Sequence, residues 1–219
     1  MSRREHITEQ SYIDWLKSLG CMFYAPFTET SVDLISSTLG TLYGNINNFS
    51  SDGVYLNGNS RIVFPKTLFS WMGYNSSWTI LVDFKLTQYA VDTNYPKIYC
   101  FDYSQLYNMQ QNNLSVGKNG NVWESYTQIR YTNYRTVLLD DIQLGVFNNK
   151  YGQAYNGNEH KMYGIYDGMI HTSVEVDGYN NDMPLTIGSM YNIGNHMKGY
   201  VRNFMIFNNM LTQQQIAQL

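Results

Sequence analysis

The sequence predicts an all-β fold for the 219 residues: a two-sheet antiparallel sandwich, or jelly roll, with one short helix near each end. Three observations carry this. Between positions 78 and 86, Trp78, Ile80, Val82, Phe84 and Leu86 alternate with Thr79, Leu81, Asp83 and Lys85. A period of two with one wholly apolar face is the pattern of a strand lying on a core. Asp-Gly pairs at Asp52-Gly53, Asp167-Gly168 and Asp177-Gly178 punctuate apolar runs, as tight turns between strands do. Helical signals are confined to two short stretches, and all-β sandwiches of roughly 200–250 residues commonly form one domain.

Residues 11–20 read as the first helix. Ser11 supplies a capping oxygen with Asp14 three positions on, Gly20 stops the helix, and Ile13, Leu16 and Leu19 face inward. A strand over 21–27 is broken by Pro26, and the polar stretch 28–48, with Gly40 and Gly44, is a long loop. Apolar runs at 54–56 and 60–65 flank a turn at Asn57-Gly58-Asn59. After strand 78–86, further strands are predicted over 97–103, 121–130 and 136–147, separated by polar segments 104–120 and 148–160. Runs 162–167 and 169–176 make a hairpin about Asp167-Gly168. Its return strand has an apolar face of Ile170, Thr172, Val174 and Val176 and a polar one of His171, Ser173 and Glu175. A short strand ends at Ile187-Gly188. The last strand, 200–207, is dense in β-branched and aromatic residues. Asn208-Asn209 break it, and Thr212 with Gln215 forms a capping box stapled by Leu211 and Ile216. If Val201, Phe204 and Ile206 are all buried, that strand changes parity between the first two, which requires a bulge.

Four of these marks, in order, resemble the concanavalin A-like jelly rolls, most closely their laminin-G-like branch. The closing mark is Gly199, an apolar strand ending in Ile206-Phe207-Asn208, the pair Leu211-Thr212, then Ile216 and Leu219 at helical spacing. Before it come an early hairpin (Gly53, Val54, the small-residue turn, then Ser60-Arg61-Ile62) and the long strand 78–86. The central hairpin follows as the third of the four in chain order, with Tyr166-Asp167-Gly168 and Val176-Asp177-Gly178; the intervening Pro184-Leu185-Thr186-Ile187-Gly188 also resembles the family's short strand ending in Ile-Gly. The resemblance covers 21–219, so the expected organisation is an N-terminal helical extension over 1–20 and a laminin-G-like β-sandwich over 21–219.

Composition excludes several function classes. Net charge is -3 and charged residues are 14% of the chain, so the basic footprint of a nucleic-acid binder is missing. Two cysteines, Cys21 and Cys100, make neither a disulfide scaffold nor a zinc spacing, and the sequence does not say whether they pair. No run approaches the ~20 apolar residues of a membrane helix. The basic start, Arg3-Arg4, is not followed by the apolar core of a secretory signal. The expectation is a protein made in the cytoplasm and found on a virion or outside the cell after release.

The retaining β-glucanases of the superfamily carry Glu-x-Asp-x-x-Glu on one strand, where one carboxylate acts as nucleophile and another as acid. Here the sequence reads Glu175-Val176-Asp177-Gly178-Tyr179-Asn180. An amide cannot shuttle a proton, so the expectation is no enzyme and no catalytic residue. His6, His160, His171 and His196 have no metal-binding spacing. The family's common ion is calcium, for which Asp140 with Asp141, and Asp177 with Asp182, are oxygen-rich candidates without a diagnostic spacing. No other cofactor is implied.

The resemblance implies recognition, often of glycans. A sugar site needs an aromatic platform and a few placed polar groups. Such stretches are Trp123-Glu124-Ser125-Tyr126, Tyr131-Thr132-Asn133-Tyr134-Arg135 and Tyr151 to Asn158, in which Tyr155 and Asn156 are adjacent. The candidate ligand residues are therefore Trp123, Tyr126, Tyr131, Tyr134, Tyr155 and Asn156. Two readings stay open at this point. One is a lectin-like module on a bacteriophage capsid or tail that binds a cell-surface glycan. The other is a purely structural virion decoration or assembly protein that uses the same aromatics against neighbouring virion proteins. Both imply an oligomer or a larger assembly, with no nucleic acid and no membrane insertion.

Overall fold

A computed structural model describes residues 8–46, 48–88, 96–101, 111–119, 122–130, 134–178, 183–190 and 196–219, with strand positions 111, 118, 119, 122, 123, 126, 129, 130, 134, 140 and 141 described by backbone only. The elements in order are α1 (Glu9–Ser18), β1 (Cys21–Ala25), β2 (Thr41–Tyr43), β3 (Phe49–Ser50), β4 (Gly53–Asn57), β5 (Arg61–Phe64), a 3-10 turn (Lys66–Leu68), β6 (Trp78–Gln88) and β7 (Lys97–Phe101). There follow β8 (Gln111–Asn119), β9 (Val122–Arg130), β10 (Tyr134–Asp141), β11 (Asn148–Asn156), β12 (Lys161–Tyr166), β13 (Met169–Glu175), β14 (Leu185–Ile187), β15 (Lys198–Phe207) and α2 (Gln213–Gln218).

Two antiparallel sheets face each other. The eight-stranded sheet runs β13-β12-β11-β6-β15-β4-β3, with β1 joined to β15; the seven-stranded sheet runs β10-β9-β8-β7-β14-β5-β2. This is the jelly-roll sandwich that the strand pattern predicts. The main core lies between the sheets. Phe23 sits edge-on to Phe64 at 4.8 Å and to Phe204 at 5.8 Å, and Trp78 stacks on Tyr155 at 5.5 Å. Gln153 donates to Asn112 across the two sheets inside this core, and both side chains are fully buried.

Strand β6 differs from expectation in one respect: both its faces are buried. Trp78, Ile80, Val82 and Phe84 face the main core, while Thr79, Leu81 and Asp83 are buried on the other side. A second apolar cluster covers that outer side, built from Leu16 of α1, Ile216 of α2, Leu81, Ala154, Ile165, Met205 and Phe207. The loop after β1 adds Leu34 and Ile35 to it. Asp33, fully buried, holds that loop by accepting from Tyr24 N at 2.8 Å, Ile35 N at 3.0 Å and Ser36 N at 3.0 Å.

The ends of the chain follow the capping chemistry. Thr212 and Gln215 make the reciprocal capping box, and Leu211 and Ile216 are both fully buried. Thr79 Oγ1 ties β6 to this closing turn, accepting from Leu211 N and donating to Asn209 O, both at 2.9 Å. At the other end the cap is Thr8 rather than Ser11. Thr8 Oγ1 accepts from Ser11 N at 3.2 Å, so the helix starts two residues before position 11. The bulge in β15 is present: Val201, Phe204 and Ile206 are all fully buried, the pairing with β6 shifts between Arg202 and Met205, and Asn203 takes a positive φ of 50°.

Five other expectations are corrected. The runs around Asn57-Gly58-Asn59 are not a hairpin, because β4 pairs with β15 and β3 while β5 pairs with β14 and β2; the turn carries the chain from one sheet to the other. The polar segment 148–160 contains β11, a central strand beside β6. Its residues Tyr151, Gln153 and Tyr155 point inward and Gly152 and Ala154 outward, and a Cβ at 152 would run into the Ile80 carbonyl. Segment 104–120 likewise contains β8, and the strand expected over 136–147 ends at Asp141. Finally, the Asp167-Gly168 hairpin forms with φ of 49° and 71°, but a register shift between Tyr163 and Ile165 reverses the phase of β13 next to the turn. Ile170 therefore joins the outer cluster, and His171 stacks on Tyr166 at 3.5 Å, on the main-core side.

Candidate functional site

With the outer face of the eight-stranded sheet largely sealed by α1, α2 and the Asp33 loop, the other large face is the outer side of the seven-stranded sheet. The ladders set its residues. On β8, Leu114 and Val116 lie in the main core, so Asn113 and Ser115 lie on the outer side. Asn113 pairs with Gln128 of β9, and Gln128 with Thr136 of β10. Lys97 of β7 opposes Ser115, Cys100 opposes Asn113, and Thr186 of β14 opposes Cys100. Directly opposed residues share a face, so one polar track crosses the sheet from β10 to β14.

The track is buried at one end and open at the other. Lys97 Nζ donates to Ser115 Oγ at 2.6 Å and Asn113 Oδ1 at 3.1 Å, and Ser115 Oγ donates to Asn113 Oδ1 at 2.6 Å. Lys97, Asn113, Ser115, Cys100 and Thr186 are all buried. Toward β10, Gln128 Nε2 donates to Thr136 Oγ1 at 3.0 Å, Gln128 is half-buried, and Thr136 and Leu138 are exposed. Asn113 Nδ2 and Thr186 Oγ1 are buried without a hydrogen-bond partner among the described residues. An unmet buried polar atom costs about 1–3 kcal/mol, so both atoms gain from a polar partner that reaches them.

The residues expected from sequence to bind ligand fall into three groups. Trp123 and Tyr126 lie within β9, and Tyr134 opens β10. Backbone pairing sets position 126 opposite Ser115 and Leu138, position 134 opposite position 130, and position 123 opposite position 118. Positions 126 and 134 thus fall on the outer register of the ladder and 123 on the inner one; their side chains lie outside the described structure, as does Tyr131 altogether. Tyr155 is a core residue, fully buried against Trp78, with its hydroxyl donating to Tyr74 O at 2.9 Å. Burial pushes its phenol pKa up, with a smaller push from Tyr74. The expectation of a platform there is corrected: inward alternation in β11 consumes the ring. Asn156 turns the chain, its Oδ1 accepting from Asn158 N at 3.0 Å and Glu159 N at 3.3 Å.

Of the calcium candidates, Asp177 lies 3.8 Å from Arg135, the side chains of Asp140 and Asp141 lie outside the described structure, and so does Asp182. No group of three or more His, Cys, Asp or Glu gathers among the described residues. Cys21 and Cys100 are both buried and form no disulfide. Burial pushes the Cys21 thiol up to about 12. No described helix is long and apolar enough to cross a membrane. Sequence reasoning missed Lys97, Asn113, Ser115 and Gln128. The signal that marks them is the polar half of an alternation, Asn113-Leu114-Ser115-Val116, in a stretch whose Asn and Gln content suggests a loop.

No protein-family model matches the chain, and no curated protein sequence matches it either. Solved structures do. Domain 4 of AbnA, a GH43 extracellular arabinanase from Geobacillus stearothermophilus in complex with arabinotriose, matches with a TM-score of 0.63 at 15% identity over 90% of this chain and 97% of that one. The binding domain of Paraclostridial Mosquitocidal Protein 1 matches with a TM-score of 0.65 at 13% identity, over 91% of this chain and 51% of that one. The Ruminococcus gnavus sialidase module CBM40, bound to α2,3 sialyllactose, matches with a TM-score of 0.53 at 12% identity over 65% and 82%. At such identities the shared property is the fold, and the chain has the concanavalin A-like, laminin-G-like jelly-roll fold.

Proposed function

We propose that the protein is a non-catalytic recognition module that binds a glycan on the outer face of its seven-stranded sheet. The observation that carries this is the polar track from Thr136 and Gln128 to Lys97, with Asn113 Nδ2 and Thr186 Oγ1 buried and unmet. Sugar hydroxyls both donate and accept, so they suit the open end of the track, where Gln128 and Thr136 set an amide and a hydroxyl side by side. Backbone pairing sets position 126, a tyrosine, opposite Ser115 on the outer register, and an aromatic residue at that position suits a sugar ligand. Support from likeness is indirect: one matched domain is in complex with arabinotriose and another is bound to sialyllactose.

Calorimetric titration with a panel of neutral and acidic oligosaccharides tests the reading. Gln128→Ala and Tyr126→Ala should each weaken binding about tenfold or more, the worth of a lost hydrogen bond or stacking surface in a desolvated site. Binding unchanged in both variants, or no binding across the panel, overturns it.

We propose a bacteriophage capsid or tail as the finer placement, with which the low charge and the Tyr-rich composition are compatible. Peptides of the chain in purified particles support it; particles that lack them contradict it.

A further inference from the structure

The outer face of the eight-stranded sheet is not sealed everywhere. We propose that its uncovered part, centred on β15, is a second binding site that takes an acidic saccharide.

On β15, Lys198, Tyr200 and Arg202 alternate with Gly199 and Val201, whose partner Val54 lies in the main core. The three therefore share the outer side as a cation–aromatic–cation row. Tyr200 opposes Tyr55 of β4 and Lys85 of β6. The Tyr55 and Tyr200 rings lie 5.0 Å apart. Lys85 Nζ sits 4.5 Å from the Tyr200 ring and 4.5 Å from the Phe147 ring, and the Arg202 guanidinium lies 3.8 Å from the Phe147 ring.

Three features distinguish this cluster from an ordinary solvated face. Tyr55, Tyr200 and Phe147 belong to neither apolar cluster, so core packing does not account for three rings on one patch. Two of the rings, Tyr200 and Phe147, also lie against cations, an attraction of the charge for the ring face. The charges are also incompletely matched. Lys85 pairs with Asp52 at 2.8 Å and Arg202 with Asp83 at 3.4 Å. Lys198 has no carboxylate partner among the described residues; its Nζ donates to Gln88 Oε1 at 3.3 Å. Three cations thus face two carboxylates, on a protein whose net charge is -3.

The chemistry selects the ligand class. Half-buried tyrosine rings offer a flat apolar surface to a sugar ring, and neither Tyr55 nor Tyr200 spends its hydroxyl on another described residue. The unmatched ammonium at one end of the row and the guanidinium at the other suit an anionic substituent. A carboxylate or a sulfate on the sugar meets the same chemistry.

The test uses the full chain, titrated with a galacturonate trisaccharide, a sulfated trisaccharide and a neutral galactose trisaccharide, read by calorimetry and by backbone amide shifts. The proposal predicts binding of at least one acidic probe with shifts on β4, β6 and β15, and weaker or absent binding of the neutral one. Lys198→Glu should cut the acidic affinity about tenfold or more, as expected for a charge-assisted contact, with an unchanged melting temperature. About 1 M salt, where the Debye length is about 3 Å, should weaken it too. Tyr200→Ala checks the platform without changing charge. Equal binding of neutral and acidic probes at β15, or acidic binding untouched by both variants, or no acidic binding at all, overturns the proposal. The glycan reading of the seven-stranded sheet is scored separately, from shifts on β8 to β10, so either can fail alone.

Discussion

On the eight-stranded sheet, Leu81, Ala154, Ile165 and Met205 point away from the main core and are still buried, because α1, α2 and the Asp33 loop lie over them. On the seven-stranded sheet the corresponding outward positions are Asn113, Ser115, Gln128 and Thr136. The first face is apolar and is covered by the chain's own ends. The second is polar, and it leaves Asn113 Nδ2 and Thr186 Oγ1 unmet. On the proposed reading, folding stability rests on the part of the first face that α1, α2 and the Asp33 loop cover, and recognition on the polar face, with the uncovered β15 patch as a second binding site. A substitution on the covered face should act on folding, and one on the polar face on binding.

The strongest challenge to that division is to uncover the first face. Leu16→Ala or Ile216→Ala removes a fully buried side chain and should cost about 2–5 kcal/mol in urea unfolding. A cost below about 0.5 kcal/mol, the usual range for a surface change, means that the helices do not seal the sheet. Asp33→Ala leaves the Tyr24, Ile35 and Ser36 amides without their acceptor and should cost about 2–3 kcal/mol, at the upper end for buried donors that lose a charged partner. Unchanged stability would separate that loop from the seal.

Alkaline pH probes the same cluster. Burial raises the Cys21 thiol from its ordinary 9.0 to about 12, and burial also raises the phenols of Tyr12 and Tyr24. A raised folded pKa means that the native state holds its proton where the unfolded chain has lost it. Stability is therefore unaffected below pH 9 and falls as pH rises from about 9 toward 12. Denaturant midpoints measured across that range should decline; a flat profile contradicts the burial of these groups. Cys21 should also resist alkylation in the native state at pH 8 and react on unfolding. The smallest effect is at the C-terminal cap, where Thr212→Ala should cost about 1 kcal/mol, read as a lower unfolding midpoint; no change would show that the Leu211 and Ile216 contacts alone hold α2.

Several local elements of the eight-stranded sheet were legible in the sequence, whereas the cover over its outer side and the polar track on the other sheet were not, for physical reasons. Strand β6, the Asp167-Gly168 turn, the capping box and the parity change in β15 are local signals: alternation, turn chemistry, reciprocal hydrogen bonds. Each can be read within about ten residues. Strand β11 could not be, because Gln153, Gly152 and Asn148 have low strand propensity and are held there by β6 and β12 on either side. The same cause hid the site. Asn113 looks like a loop residue until the ladder sets it opposite Gln128, inside the predicted strand 121–130. Tyr155 looked like a surface ring because its neighbours are polar, yet its parity in β11 turns it onto Trp78. The passage of the chain between sheets at Asn57-Gly58-Asn59 depends on which partners β4 and β5 find, and no local pattern encodes that.

The division between the two faces is tested most directly by mapping where a bound glycan touches the protein. Backbone amide shifts recorded while a neutral oligosaccharide that binds is added should change along β8, β9 and β10, and stay still across α1, α2 and residues 31–36. Shifts concentrated on the helices and that loop, with β8 to β10 unmoved, would contradict the account.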